Sequence, residues 1–152
     1  MKEIKILLVD DEEYFVKNLS KYIKKMRNLG ADFALNGEEA LKLVENEAPD
    51  VMVLDLKMPG IGGVAVLRWI KKVYPDVQVI ILTGYGSEKD KKESLRLGAF
   101  EYLEKPVNIN ELVQCIHRAY KSKFESSTAA AEFHEIEDFD TDKKMIAEEK
   151  DK

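Results

Sequence analysis

Cysteine is almost missing from this chain: Cys115 is the only one in 152 residues. No internal disulfide can form, and a reducing, cytoplasmic setting is expected. Long apolar runs are missing too. None approaches the roughly 18 to 20 residues that span a bilayer, so membrane insertion is excluded. The first run, Ile4 to Val9, ends on Asp10-Asp11 and not on a small-residue cleavage site, so it reads as a strand and not as a signal peptide. No basic stripe of the kind that follows a nucleic-acid backbone appears, which argues against direct nucleic-acid binding. No G-x-x-x-x-G-K-[ST] loop occurs, and no G-x-G-x-x-G follows the first strand, where Asp10-Asp11-Glu12 would repel a phosphate.

The charge that is present is unevenly spread. Residues 125–152 hold ten Asp/Glu and four Lys, a net of −6, and the remainder of the chain is near neutral at +1. The composition also changes there. Ser126 to Ala131 is small and polar, and the charge-rich stretch beyond carries only scattered large apolars, Phe133, Ile136, Phe139 and Met145 among them. The expected organisation is one domain over residues 1–124 and a flexible acidic tail over 125–152. A short docking helix built on those apolars is the alternative. No output domain follows in the sequence as it stands.

The centre of the chain is Val51-Met52-Val53-Leu54-Asp55, closed by Pro59-Gly60. An apolar run bounded by turn signals reads as a strand buried on both faces, which belongs to a parallel sheet. Similar runs lie at Ile4–Val9, Val77–Thr83 and Ala99–Leu103, with a shorter candidate at Asp32–Leu35. Helical periodicity fills the gaps. Phe15, Leu19, Tyr22, Ile23 and Met26 mark the first helix, which Gly30 should end. Asn36 and Glu39 form a cap pair ahead of Ala40, Leu41 and Val44. Val66, Leu67 and Ile70 mark the third helix, with Trp69 as a packing residue on it. Glu88 to Arg96 forms the fourth, and Asn110 should cap a fifth through Leu112, Val113, Ile116 and Tyr120. Five strands alternating with five helices imply a parallel sheet covered on both faces, with right-handed crossovers.

In such a sheet, ligands bind beyond the carboxyl ends of the strands. Asp10 and Asp11, Asp55, Thr83 and Lys105 all stand at those ends. Taken singly, each has an ordinary structural reading: an aspartate as turn or cap, a threonine as a strand terminus, a lysine before proline as a solvated cation. Gathered at one edge, they make a site. Three crowded carboxylates call for a divalent cation, and oxygen-only ligands without His or Cys suit Mg²⁺ and not zinc. A carboxylate beside Mg²⁺, a lysine and a hydroxyl is equipped to accept a phosphoryl group. Asp55, alone at the end of a central strand, is the expected acceptor.

The runs Ile6-Leu7-Leu8-Val9-Asp10-Asp11-Glu12, Asp55-Leu56-Lys57-Met58-Pro59-Gly60, Leu82-Thr83-Gly84-Tyr85-Gly86 and Gly98 to Pro106 resemble the receiver domain of two-component response regulators, over residue 4 to about 122. The Thr83-to-Gly86 run is most similar to receivers of sigma-54-type activators. The resemblance implies a flavodoxin-like (βα)5 doubly wound fold, an α/β five-stranded parallel sheet of order 2-1-3-4-5. It implies that Asp55 takes phosphate from a histidine kinase or phosphotransfer protein. It implies that Asp10, Asp11, Asp55 and the main-chain carbonyl of Lys57 organise Mg²⁺. Thr83 and Lys105 match the residues that meet the phosphoryl group, and Tyr102 matches an aromatic that swings inward as Thr83 moves. Pro106 matches a proline that often follows a cis peptide bond. Lys57 and Tyr85 match positions that tune phosphate loss. On this reading the chain is a phosphoacceptor and no enzyme beyond its own phosphoryl transfer and hydrolysis. It would switch a surface of the fourth helix, fifth strand and fifth helix to regulate a downstream protein, with Lys89, Lys91, Lys92, Arg96, Tyr102 and His117 as candidate contacts. His117 and His134 themselves read as a helix-surface residue and a tail residue. Two other readings stay open: the receiver of a transcriptional activator acting through phosphate-dependent homodimerisation, and a Mg²⁺-dependent aspartyl-phosphate phosphatase. A phosphatase of the haloacid dehalogenase type would want an acid where Lys57 stands.

Overall fold

The computed structural model describes residues 2–136. Of the tail expectations, those that fall on residues 137–152, including Phe139 and Met145, lie outside the described residues. The chain divides into two units, Met1–Tyr120 and Lys121–Lys152.

In the first unit, β1 (Ile4–Val9), β2 (Leu29–Ala34), β3 (Val51–Leu54), β4 (Gln78–Thr83) and β5 (Glu101–Glu104) form one sheet of order β2-β1-β3-β4-β5. All four pairings are parallel. Four helices link them: α1 (Glu13–Lys24), α2 (Gly37–Asn46), α3 (Gly63–Val73) and α4 (Glu88–Arg96), and α5 (Ile109–Ile136) follows β5. This is the doubly wound α/β fold that the strand pattern implies.

Alternation along each strand splits the core into two layers. Ile4, Ile6, Leu8, Val51, Val53, Ile80 and Leu82 face one side and meet Val16 and Ile23 of α1 and Leu112 and Ile116 of α5. Leu7, Val9, Met52, Leu54, Val79 and Ile81 face the other and meet Ala40 and Val44 of α2 and Val66, Leu67 and Ile70 of α3. Both faces of the central strands are therefore dry, which is why they read as continuous apolar runs and not as alternation.

Three local expectations are corrected. The first helix ends at Lys24, and Asn28, in the left-handed region at φ 64°, turns the chain. Gly30 is a residue of β2, which begins at Leu29, so the glycine does not stop the helix. Tyr22, counted on the apolar stripe, is half exposed at 50%, because the buried face of α1 runs through Val16, Ser20 and Ile23. The cap of the last helix is Asn108, whose Oδ1 accepts the N–H groups of Asn110 at 2.8 Å and Glu111 at 3.3 Å. The Asn36 cap is as expected: its Oδ1 accepts from Glu39 N–H at 2.8 Å, and Glu39 Oε1 accepts from Leu35 N–H at 2.9 Å.

In the second unit, α5 continues from Lys121 to Ile136, past the boundary that the composition suggests at residue 124. The Ala129-Ala130-Ala131 run that looks like a linker is also a strong helix former. An exposed i,i+4 pair joins Lys121 to Glu125 at 3.8 Å.

Candidate functional site

The register brings the strand ends together. Val9 stands opposite Leu54, and Thr83 opposite Glu104. The ladder bonds extend one residue beyond the strands: Asp10 N–H donates to Ala34 O at 3.1 Å, Asp55 N–H to Val9 O at 2.9 Å, and Lys105 N–H to Thr83 O at 3.0 Å. The backbones of Asp10, Asp55 and Lys105 are thus fixed by the sheet and not by loops.

Their side chains are aimed by a repeated device. Glu12 N–H donates to Asp10 Oδ1 at 2.9 Å, Lys57 N–H to Asp55 Oδ1 at 3.3 Å, and Tyr85 N–H to Thr83 Oγ1 at 3.4 Å. In each case the amide two residues on, at the first bend of the loop, holds the strand-terminal oxygen. Gly63 adds to this at Asp55. A Cβ there would stand 2.2 Å from Asp55 O and 2.6 Å from Leu56 Cα, so only glycine lets the start of α3 close under the strand end. The Lys105-Pro106 peptide bond is cis.

One carboxylate oxygen from each of Asp10, Asp11 and Asp55 lies within 4.8 Å of the others. Asp10 and Asp55 are buried, and Asp11 is exposed. The Lys105 ammonium enters this group, 2.6 Å from Asp10 Oδ2, 3.0 Å from Glu12 Oε1 and 3.4 Å from Asp55 Oδ2. It also lies 4.6 Å from the centroid of the Phe15 ring. Burial works against the lysine's charge, but its bonds to Asp10 and Glu12 outweigh that and hold its proton more tightly than in an ordinary lysine. Burial pushes the Asp10 carboxyl above the usual range, although Lys105 and the Glu12 amide pull it down. One ammonium shared among three carboxylates leaves the group short of positive charge. Oxygen donors, two of them buried, with charge still to neutralise, fit a hard divalent cation of the Mg²⁺ type.

Thr83 is fully buried beside this group, and Tyr102 is 8% exposed, pointing inward from β5. The Tyr102 hydroxyl has no hydrogen-bond partner among the described residues. Burial, and then the acids Asp90 and Glu104, raise its pKa, so it stays protonated. As a surface contact Tyr102 is therefore corrected, since in this conformation it is inside. Lys89, Lys91, Lys92, Arg96 and His117 are all exposed. Lys57 is exposed as well, with its ammonium 4.0 Å from Asp90. Tyr85, at 73% exposure, stands out in the loop before α4.

Two site residues escape a reading of the sequence. Glu12 belongs to the acidic run at the first strand end, but its contact with Lys105, 93 positions away, follows only from the fold. Phe15 is legible as an apolar residue of α1, yet nothing in the spacing says that its ring meets the lysine. No helix among the described residues is long and apolar enough to cross a membrane.

The comparisons with known proteins agree with this geometry. The sequence model of the response regulator receiver domain matches residues 6–117. A putative NtrX-like response regulator of Rickettsia typhi is 34% identical over 121 residues, covering 78% of this chain and 25% of that protein. Sporulation initiation phosphotransferase F of Bacillus subtilis is 35% identical over 118 residues, covering 78% of this chain and 94% of that protein. A CheY-like response regulator receiver domain protein of Methanospirillum hungatei superposes with a TM-score of 0.78 at 27% identity, over 82% of this chain and 99% of that one. The chain spans about a quarter of the length of the NtrX-like relatives. With the sheet order, the acidic strand ends and these matches in agreement, the chain belongs to the response regulator receiver domain family of two-component signalling.

Proposed function

We propose that Asp55 accepts a phosphoryl group from the phosphohistidine of a histidine kinase or phosphotransfer protein, and that the resulting charge alters binding to a downstream protein. The observation that carries this reading is the convergence of the Asp10, Asp11 and Asp55 carboxylates within 4.8 Å, with the Lys105 ammonium 3.4 Å from Asp55 Oδ2. Asp10, Asp11, Asp55 and the main-chain carbonyl of Lys57 would hold Mg²⁺. When bound, it supplies the positive charge that lets an anionic phosphoryl group approach an anionic acceptor.

The remaining work falls to the chain's own residues. Asp55 Oδ2, 3.4 Å from the Lys105 ammonium, attacks phosphorus as the P–N bond of the phosphohistidine breaks and its electron pair leaves with the imidazole, while the amide of Lys57 holds Oδ1. Lys105 leaves Asp10 and meets a phosphoryl oxygen with its ammonium. Thr83 exchanges the amide of Tyr85 for another phosphoryl oxygen and donates its hydroxyl. These two residues stand at the ends of β5 and β4, so the new bonds draw in the loops that lead to α4 and α5. The exposed Tyr85 and Leu95 lie on that side of the molecule and support its role as the contact surface. The chain acts on itself: no separate substrate is turned over beyond phosphoryl transfer to Asp55 and its hydrolysis.

The test is intact mass after incubation with acetyl phosphate and Mg²⁺, with Asp55→Asn alongside. A single alkali-labile phosphoryl adduct in the parent, absent from the variant and absent without Mg²⁺, is expected. A folded parent that gives no adduct and shows no Mg²⁺-dependent binding of beryllofluoride overturns the reading.

A further inference from the structure

The run Thr83-Gly84-Tyr85-Gly86 carries two glycines, and they stand in different surroundings. A Cβ on Gly84 would meet nothing closer than 3.7 Å, the Cβ of Lys105. A Cβ on Gly86 would lie 1.5 Å from the Tyr102 hydroxyl, 2.8 Å from Tyr102 Cζ and 3.0 Å from Thr83 Cγ2. The backbone does not demand glycine at 86. Gly60 and Gly98 are the positive-φ glycines among the described residues, and Gly86 is not one of them. The φ at 86 does not strain an alanine, and the three atoms nearest to its Cβ belong to the tyrosine and, less severely, to the threonine methyl.

We propose that Gly86 is the positioning residue for Tyr102: the missing side chain at 86 is the space that the tyrosine hydroxyl occupies when the ring lies inward beside Thr83. The hydroxyl reaches this space and finds no hydrogen-bond partner among the described residues, and the space left by the missing Cβ is what accommodates it. The ring is rigid beyond its two torsions, so a clash at its tip is relieved only by swinging the whole ring outward or by moving the loop. The inference rests on the proposed phosphoacceptor function only for its consequence. If an inward Tyr102 accompanies the phosphate-bound arrangement, the residue at 86 sets how readily that arrangement forms. A side chain at 86 biases the domain toward the outward state. Removing the unpartnered hydroxyl biases it inward, because its burial without a hydrogen bond is then relieved.

The test uses Gly86→Ala, Gly84→Ala and Tyr102→Leu in the full chain, with folding checked by circular dichroism. Nitration by tetranitromethane, mapped to individual peptides in Mg²⁺-free protein, reads the exposure of Tyr102, with the exposed Tyr85 as internal reference. Gly86→Ala should raise the nitration of Tyr102 by about fivefold or more, the low end of a typical coupling between sites. Gly84→Ala should leave it at the parent level. Beryllofluoride affinity with Mg²⁺ should fall by a similar factor in Gly86→Ala, but not when the same change is made in the Tyr102→Leu background. A folded Gly86→Ala with parent-level nitration of Tyr102 overturns the proposal, because the loop has then yielded instead. An equal loss of affinity in the Tyr102→Leu background overturns it too. Should Gly86→Ala fail to fold, recovery of folding in Gly86→Ala/Tyr102→Leu supports the proposal, and failure of that pair overturns it. A folded parent that gives no phosphoryl adduct and binds no beryllofluoride refutes only the phosphoacceptor reading, since the nitration result still decides the position of Tyr102.

Discussion

Lys105 stands closer to Asp10 than to Asp55, at 2.6 Å against 3.4 Å. The ammonium therefore occupies part of the charge balance that a metal ion would satisfy, and a bound Mg²⁺ would compete with it for the same carboxylates. Lys105→Ala leaves the buried Asp10 and Asp55 without their cation. In chelator this should lower stability, on the order of 3 kcal/mol. Added Mg²⁺ should then raise the unfolding midpoint of the variant by more than that of the parent. Thermal unfolding with and without Mg²⁺ checks this, and an equal response in the two proteins would show that lysine and metal do not share the site.

The cap of α5 separates two nearby asparagines. Asn108 accepts two amide N–H groups and Asn110 only donates its own. Asn108→Ala should cost about 1 kcal/mol and Asn110→Ala close to nothing. Urea unfolding of the two variants gives the comparison.

Cys115 is fully buried, and its thiol is pushed up to about 12 from an ordinary 9.0, by burial first and then by the nearby Glu101 carboxylate. At pH 8 iodoacetamide should leave the native protein unlabelled and add once in denaturant. The same shift has a sign for stability. The unfolded thiol releases its proton near 9.0, while the folded one keeps it to about 12, so the folded state binds more protons in that window. This contribution is fully present below pH 9 and is lost as pH rises above it. The unfolding midpoint of the parent should therefore fall more steeply in alkali than that of Cys115→Ala.

Ser94 is the fully buried residue of α4, and its hydroxyl finds no partner among the described residues. Ser94→Ala removes a polar group that burial has stripped of its hydrogen bonds. It should raise stability by about 1 kcal/mol, read as a higher urea midpoint at unchanged slope.

Much of this arrangement is written in the chain. Val51 to Leu54 is apolar without interruption because both faces of β3 are covered, and that makes the strand visible. Asp55 follows at once, and in a parallel sheet every such ending lies at the same edge, so the site is legible from local patterns alone. What is hidden depends on distances that no local pattern carries. Gly30 has the look of a helix stop, but Asn28 turns the chain before it and β2 takes the glycine in. Asn110 has the look of a cap, but the helix starts two residues earlier and Asn108 supplies the oxygen. Glu12 and Phe15 meet Lys105 only because β1 and β5 are brought to one edge with two strands between them. Gly86 reads as an ordinary loop residue until the tip of Tyr102 is placed against it.

The order of the strands has a further consequence. The carboxylates come from β1 and β3, each hydrogen-bonded to a neighbour on both sides, whereas Tyr102 comes from β5, a four-residue edge strand bonded only to β4. An edge strand is among the first parts of a sheet to open. β5 can therefore loosen while β1 and β3 stay shut, so that this edge of the sheet breathes without the carboxylate cluster being dismantled. In hydrogen exchange this would appear as a gradient across the sheet, with amides of β5 and α4 exchanging early and those of β1 and β3 only on global unfolding. On the proposed phosphoacceptor reading, a phosphoryl group on Asp55 would sit at the doubly bonded centre of the sheet, while the strand that carries Tyr102 could rearrange at its margin.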